Sequence, residues 1–217
     1  MCTNYVPPSR AALAQHFGVD LVGDYPEETY PDYLAPLIRC GAEGEREALL
    51  GTFGLIPKAH MPACKHYATM NARAETVGEK TTYRGAWAKQ HLALIPCEAV
   101  FEPNYESGKH VRYRIGLASG EPFAVAGIWR TWPWTDGPTW AFSMLTINAD
   151  ANQFWSRFHK PTDEKRSVVI IPPAEYDDWL NCRSTDEGRL MLRGFPTELL
   201  ATEPAPKPSA KSAMDSA

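Results

Sequence analysis

Four runs in the middle of the chain, Leu92 to Pro96, Val111 to Leu117, Phe123 to Trp129 and Trp140 to Ile147, set the tightest limit on its fold. Each is rich in apolar, β-branched or aromatic residues and short enough for a strand. Leu92 to Pro96 is apolar throughout and reads as a buried strand, while Val111 to Leu117 alternates in part. Together they predict a meander of antiparallel strands. Ala48 to Ile56 and the short Ser167 to Ile171 segment add strand signals. Between them, Pro7-Pro8-Ser9 before RAALAQHF predicts an extended entry, a serine cap and a short helix burying Leu13 and Phe17. Thr81 to Gln90, Asn152 to Phe158, Pro173 to Leu180 and Thr185 to Arg193 read as further short helices, and Asp24 to Pro36 as a long ordered loop. The expected architecture is α+β, a single domain with a curved, mixed or antiparallel, barrel-like sheet flanked by short helices. No internal repeat points to a solenoid. From Ala201 the sequence turns to Pro, Ala, Ser and Lys, so residues 1–200 are expected to form the domain and 201–217 a disordered tail.

The formal charge of −4 over 217 residues excludes a general cationic field, so any nucleic-acid contact must be local. Arg84, Lys89, His110, Arg112, Arg114, Arg130 and Lys160 crowd the middle of the chain and offer such a patch. The five cysteines, Cys2, Cys40, Cys64, Cys97 and Cys182, have neither zinc-ligand spacing nor a CxxC pair, which fits a reducing cytoplasm. His60, His66 and His91 fall in unlike segments without an HxxxH pairing, and there is no Gly-rich phosphate loop, so no metal or cofactor is expected. No apolar run approaches a membrane span, and the start MCTNYVPPSR does not resemble a signal peptide.

The second residue carries the most distinctive chemistry. Methionine aminopeptidase removes Met1 efficiently when the next side chain is small, and cysteine qualifies. The product is a 1,2-aminothiol, whose amine and thiol have ordinary pKa values of about 8 and about 8.5. An aldehyde meeting it forms an imine with the amine and is then trapped by the thiol as a five-membered thiazolidine.

Other segments stand in a telling order behind Cys2. Phe53-Gly54-Leu55-Ile56-Pro57, Asn71-Ala72-Arg73-Ala74-Glu75, Pro96-Cys97-Glu98-Ala99-Val100-Phe101-Glu102 and His159 before Val168 follow one another along the chain. From Cys2 to Trp179 this order resembles the SOS-response-associated peptidase (SRAP) family, which processes abasic sites. Its members begin Met-Cys-Gly-Arg and continue with Trp-Gly-Leu-Ile-Pro, Asn-Ala-Arg-x-Glu and Pro-Ala-x-Gly-Phe-Tyr-Glu-Trp before a histidine ahead of a short strand. Here Thr3 and Asn4 replace Gly-Arg, Phe53 replaces Trp, and Pro103 replaces the Trp after the glutamate. The four reacting types, Cys2, Asn71, Glu102 and His159, all match.

The resemblance implies an abasic-site sensor that binds the ring-opened deoxyribose covalently through Cys2 in single-stranded DNA, acting as a monomer in the cytoplasm and at the nucleoid. Glu102 would protonate the sugar ring oxygen, His159 would shuttle protons, and Asn71 would orient the Cys2 amine or a sugar hydroxyl. Arg73 matches the phosphate-binding position. The expected DNA-contacting set is Arg73, Phe53, Arg84, Trp132, Lys160 and Thr146, with Phe53, Trp129, Trp132 and Trp134 offering faces for bases to stack on. Each residue also has an ordinary use: Glu102 as a solvated acid at a strand end, His159 as a core histidine, Asn71 as a turn residue, Arg73 as the partner of Glu75 or Glu79. Two other functions fit an N-terminal cysteine and a basic patch: a peptidase or amidohydrolase, and a noncovalent DNA-binding adaptor.

Overall fold

The prolines at positions 7 and 8 end a two-residue strand, β1 (Tyr5–Val6), and lead into α1 (Arg10–Phe17). Ser9 accepts a hydrogen bond from the Ala12 amide, and Gly18 closes the helix in the left-handed region at φ 68°. Leu13 and Phe17 are its buried residues, as the sequence predicts. This computed structural model describes residues 2–135, 137 and 139–207; Met1 and residues 208–217 of the expected tail lie outside them. The chain continues through β2 (Leu34–Cys40), β3 (Arg46–Phe53), β4 (Asn71–Arg73), α2 (Arg84–Ala88), β5 (Leu92–Cys97), β6 (Ala99–Asn104) and β7 (Val111–Leu117). β8 (Phe123–Trp132), β9 (Thr139–Asn148), β10 (Arg166–Val168), β11 (Ile170–Ile171), α3 (Tyr176–Leu180), α4 (Thr185–Met191) and β12 (Leu200–Pro204) complete it.

Five strands in the order β9-β3-β2-β5-β8 close on themselves, because β8 also pairs with β9. β3 and β4 lie parallel to β9, one after the other along the same edge, and the other barrel pairs are antiparallel. The architecture is the α+β, barrel-like sheet with short helices that the strand runs predict. β5 is apolar throughout because both its faces are covered. Leu92 and Leu94 join a core with Leu13, Phe17 and Trp179, whereas Ala93, Ile95 and Cys97 join one with Cys2, Tyr5 and Phe53. A second sheet, β1-β6-β7-β12, contributes Tyr5, Val100, Ile115 and Leu200 to that same second core.

Two expectations need correction. The domain does not end at residue 200: Leu200–Pro204 pairs antiparallel with β7, from Leu200 opposite Leu117 to Pro204 opposite Tyr113. Polar composition hid this strand, which holds an edge through backbone hydrogen bonds and one buried anchor, Leu200. Asn152 to Phe158 is not a helix but a single 3-10 turn, Trp155–Arg157. The Asn152 side chain accepts from the Phe154 and Trp155 amides as a cap would. The turn stops at Phe158, which is extended, and His159 after it adopts φ 65°.

Candidate active site

Four elements deliver Cys2, Glu102, Asn71 and His159 to one place. β1 pairs with β6, Tyr5 opposite Val100, and the Phe101 amide donates to the Asn4 carbonyl, so the chain start runs alongside Glu102. The Cys2 thiol donates to the same Asn4 carbonyl at 3.2 Å. From β4, the Asn71 side-chain amide donates to the Cys2 carbonyl at 2.7 Å, and the Tyr83 hydroxyl donates to the Asn71 carbonyl at 3.0 Å. His159 is set by its backbone: its amide donates to the Pro103 carbonyl at 2.7 Å, next to Glu102. A left-handed conformation is uncommon for a residue other than glycine and persists where its surroundings hold it. Here Lys165 holds it, its ammonium donating to the carbonyls of Phe158, His159 and Lys160 at 3.0, 3.2 and 2.6 Å.

All four side chains are buried, Cys2 completely, in this chain that still carries Met1. Burial governs their protonation. Glu102 is pushed up to about 7 by loss of hydration, and His159 is pushed down to about 4 by the same cause. Burial and then the Glu102 charge raise the Cys2 thiol to about 12. His159 Nδ1 lies 3.4 Å from Glu102 Oε2, and its Nε2 lies 3.3 Å from the Arg166 carbonyl. A carbonyl can only accept, so Nε2 carries the hydrogen and Nδ1 of the neutral ring is an acceptor. Neutral His159 therefore presents an acceptor nitrogen to a carboxyl that holds its proton more tightly than the ring would.

Behind the histidine lies a buried cation absent from the expected set. Arg166 is 3% exposed and pairs with Glu75 at 2.7 Å and Glu164 at 2.8 Å, and it also donates to the Thr146 carbonyl at 2.6 Å. Glu164 in turn pairs with Arg73 at 2.9 Å. Arg73 thus has an acidic partner, but a different one from Glu75 or Glu79.

The expected DNA-contacting residues divide. Arg73, Arg84 and Lys160 are exposed, and Arg73 projects from the strand that begins with Asn71. Trp132 is partly buried, its indole N–H donating to the Leu55 carbonyl at 2.8 Å, with His60 stacked on it at 4.6 Å. Two members are corrected. Phe53 has no exposed surface, because the β3–β9 register sets it opposite Phe142 and its ring packs on Tyr5 and Phe142 at 5.2 and 5.5 Å. Thr146 is 1% exposed and works within the fold, its hydroxyl donating to the Ala72 carbonyl and accepting from Arg166. Neither offers a surface to DNA. Among the described residues no group of three or more His, Cys, Asp or Glu side chains is placed to hold a metal ion, and no helix is long and apolar enough to cross a membrane.

The family model described as SOS response associated peptidase (SRAP) matches residues 1–207. The chain belongs to the SRAP family. Abasic site processing protein YoaM of Bacillus subtilis strain 168 is 30% identical over 135 residues, which are 61% of this chain and 56% of that protein. Abasic site processing protein YoqW of the same strain is 29% identical over 136 residues, 62% of this chain and 57% of its own length. The match thus spans little more than half of those SRAP relatives. A crystal structure of a protein from Bordetella bronchiseptica superposes with a TM-score of 0.86 at 33% identity, covering 94% of this chain and 99% of that one. One from Bacteroides thetaiotaomicron, at 21% identity and a TM-score of 0.77 over 95% and 93%, shares the fold.

The departures from the SRAP motifs have structural counterparts. Asn4, in place of Arg, is buried and donates to Glu28, which also receives the Tyr30 hydroxyl and the Arg112 guanidinium. Pro103, in place of Trp, supplies the carbonyl that anchors the His159 amide. Gly54 of the Phe-Gly-Leu-Ile-Pro segment has φ 130°, which its lack of a side chain permits, and its amide donates to the Phe142 carbonyl at 2.9 Å. Arg166, Lys165 and Tyr83 carry no signal in the sequence. Tyr83 and Lys165 act on backbone carbonyls, and Arg166 on Glu164 two residues away and on the distant Glu75, and no local pattern marks such roles.

Proposed function

We propose that the protein, once Met1 is removed, captures the aldehyde of an abasic site in single-stranded DNA as a thiazolidine on Cys2. The observation that carries this reading is the joint burial of Cys2, Asn71, Glu102 and His159, with a carboxylic acid held near neutrality beside a thiol held protonated. The names of the B. subtilis relatives support the substrate class.

The closed sugar must first open. Glu102, protonated up to about pH 7, gives its proton to the ring oxygen as the C1'–O bond breaks and the anomeric hydroxyl passes its own proton to solvent water. The Cys2 amine adds to the resulting aldehyde and water leaves, forming the imine. A thiol raised to about 12 is a poor nucleophile until a base takes its proton. The Glu102 carboxylate, left ionised after acting as the acid and close enough to raise the thiol, is that base. Sulfur then bonds to C1', the imine nitrogen takes up the proton, and the five-membered ring closes. Neutral His159, with Nδ1 toward Glu102, relays protons between these steps. The Asn71 amide orients Cys2 through its carbonyl, and its oxygen, buried without a hydrogen-bond partner among the described residues, suits an N–H of the freed amine. Arg73, exposed on the same strand as Asn71, is suited to a flanking phosphate. The protein acts as a monomer in the cytoplasm, at the nucleoid when engaged.

The decisive experiment incubates protein of verified N-terminus with a single-stranded oligonucleotide carrying one abasic site and reads a denaturant-resistant band shift. Wild type should shift, and Cys2→Ala and Cys2→Ser should not. A wild type that binds without shifting would leave the noncovalent adaptor reading in front.

A further inference from the structure

A polar cavity of about 200 Å³ lies between the segment around α2 and the end of β8, lined by Lys89, His91 and Arg130 and by the hydroxyl-bearing Thr81, Thr82 and Thr131. Among the described residues no carboxylate lines it. Arg73, Arg112 and Arg166 each hold an acid, but Lys89 and Arg130 form no ion pair among the described residues. The Arg130 head is nevertheless held in place. Arg130 lies over the Trp132 ring, 4.0 Å from its centroid, and Trp132 is itself fixed to the Leu55 carbonyl. His91 lies flat on Trp129 at 4.0 Å, and burial together with the neighbouring Lys89 charge holds its pKa down. Converging donors without an anion, on a chain whose net charge is −4, are the chemistry of a phosphate-binding site.

Its place in the fold says which phosphate. The segment that carries Thr81, Thr82 and Lys89 also carries Tyr83, whose hydroxyl holds the Asn71 backbone beside Cys2. Arg84, the next residue, is exposed. Trp132 continues the surface toward His60 and Trp134, the latter half exposed, so cations and aromatic rings alternate as they do on proteins that track a single strand.

We propose that Lys89, Arg130 and the three threonines form a second phosphate seat, which takes a backbone phosphodiester of the bound strand at a distance from the reacting sugar. The proposal rests on the abasic-site reading above, and the two fail separately. Fluorescence anisotropy would compare an unmodified single-stranded oligonucleotide long enough to pass the seat with one only a few nucleotides long. Wild type should prefer the longer strand. Lys89→Gln/Arg130→Gln should lose about tenfold in affinity for it, with a salt dependence shallower by about 0.7 for each phosphate no longer neutralised. Affinity for the short strand should hold. Arg10→Gln/Arg183→Gln removes the same charge elsewhere and should change the long strand little; Lys89→Gln alone should give part of the loss with Arg130 and Trp132 undisturbed. Equal losses in both double variants, or no loss in the first, would overturn the seat. Inorganic phosphate that shifts the NMR signals of Thr81, Thr82 and Thr131 while the long strand does not would overturn the nucleic-acid assignment in favour of a free phosphate. The absence of a covalent band on abasic DNA, with this length preference intact, would remove the thiazolidine reading and leave the seat standing.

Discussion

The cluster at Cys2 and the cavity at Lys89 and Arg130 treat charge in opposite ways. At Cys2 the ionisable side chains are buried and burial drives them toward their neutral forms, Glu102 up to about 7, His159 down to about 4 and the thiol up to about 12. At the cavity Lys89 is exposed and Arg130 partly so, and neither has an acidic partner among the described residues. The difference matches two tasks. Proton transfer needs groups that change charge near neutral pH, and burial tunes them to do so. Holding a strand needs permanent charge whose counterions the ligand displaces. A net charge of −4 is compatible with both proposed tasks, because each effect is local.

The largest test of this contrast is Glu102→Gln. Losing the acid should slow crosslinking by about 10² to 10⁴-fold, a typical general acid–base contribution. Wild-type crosslinking should fall as pH rises through about 7, where Glu102 gives up its proton, and the variant should lack that limb. Its stability should move the other way. A carboxyl whose folded pKa lies above its unfolded value binds a proton more tightly in the native state, so the wild type loses stability from about pH 4.5 up to about 7. Urea denaturation should therefore find the variant gaining on wild type as pH rises through that window and level above it. A variant as fast as wild type, with the same alkaline limb, would take Glu102 out of the chemistry.

Next comes the link between the two regimes, Arg166, a buried cation that does have its acids. Removing one partner of such a pair costs about 3 to 5 kcal/mol when both are buried. Glu75 and Glu164 keep 45% and 31% of their side-chain exposure, so Arg166→Met should cost about 2 to 3 kcal/mol in a urea unfolding series. The Arg166 backbone carbonyl that meets His159 stays in the variant, so the pH profile of crosslinking should change shape only where loss of the guanidinium moves that backbone and with it the histidine. An unchanged profile would confine Arg166 to stability.

How far the sequence revealed these regions differs in the same way. Strands β3, β5, β8 and β9 of the barrel were legible because they carry apolar runs such as Leu92 to Pro96, whose two faces are both buried, whereas β2 was not, its first residues falling in the stretch read as a loop. Cys2 stood out by position and chemistry, but Asn71, Glu102 and His159 stood out only through the order of motifs around them. What joins them is the pairing of β1 with β6 and the left-handed turn at His159, and neither has a local pattern. Phe53 misleads because an aromatic ring looks the same in sequence whether a register buries it or a loop displays it. β12 was hidden because an edge strand needs backbone partners more than apolar side chains. Phe53→Trp, which restores the residue in the family motif, turns this lesson into a measurement. Overpacking a ring with no exposed surface should cost about 1 to 3 kcal/mol and leave affinity for single-stranded DNA unchanged. Tighter binding without loss of stability would return this position to the DNA surface.

The smallest expected effect concerns Arg73, which stands between the two regimes. It projects from β4, the strand of Asn71, yet half its side chain is exposed, and it is paired with Glu164. An exposed ion pair contributes about 0 to 1 kcal/mol, so a strand phosphate can displace Glu164 at little cost. Glu164→Gln should change stability by less than about 1 kcal/mol, because Arg166 keeps Glu75. Affinity for single-stranded DNA should rise by about two- to fivefold, the equivalent of that pair energy, measured at low salt where the competition is strongest. Arg73→Gln in the same background should erase the gain. If the gain survives without Arg73, the carboxylate acts by general repulsion of the strand rather than by holding the phosphate's position on the guanidinium.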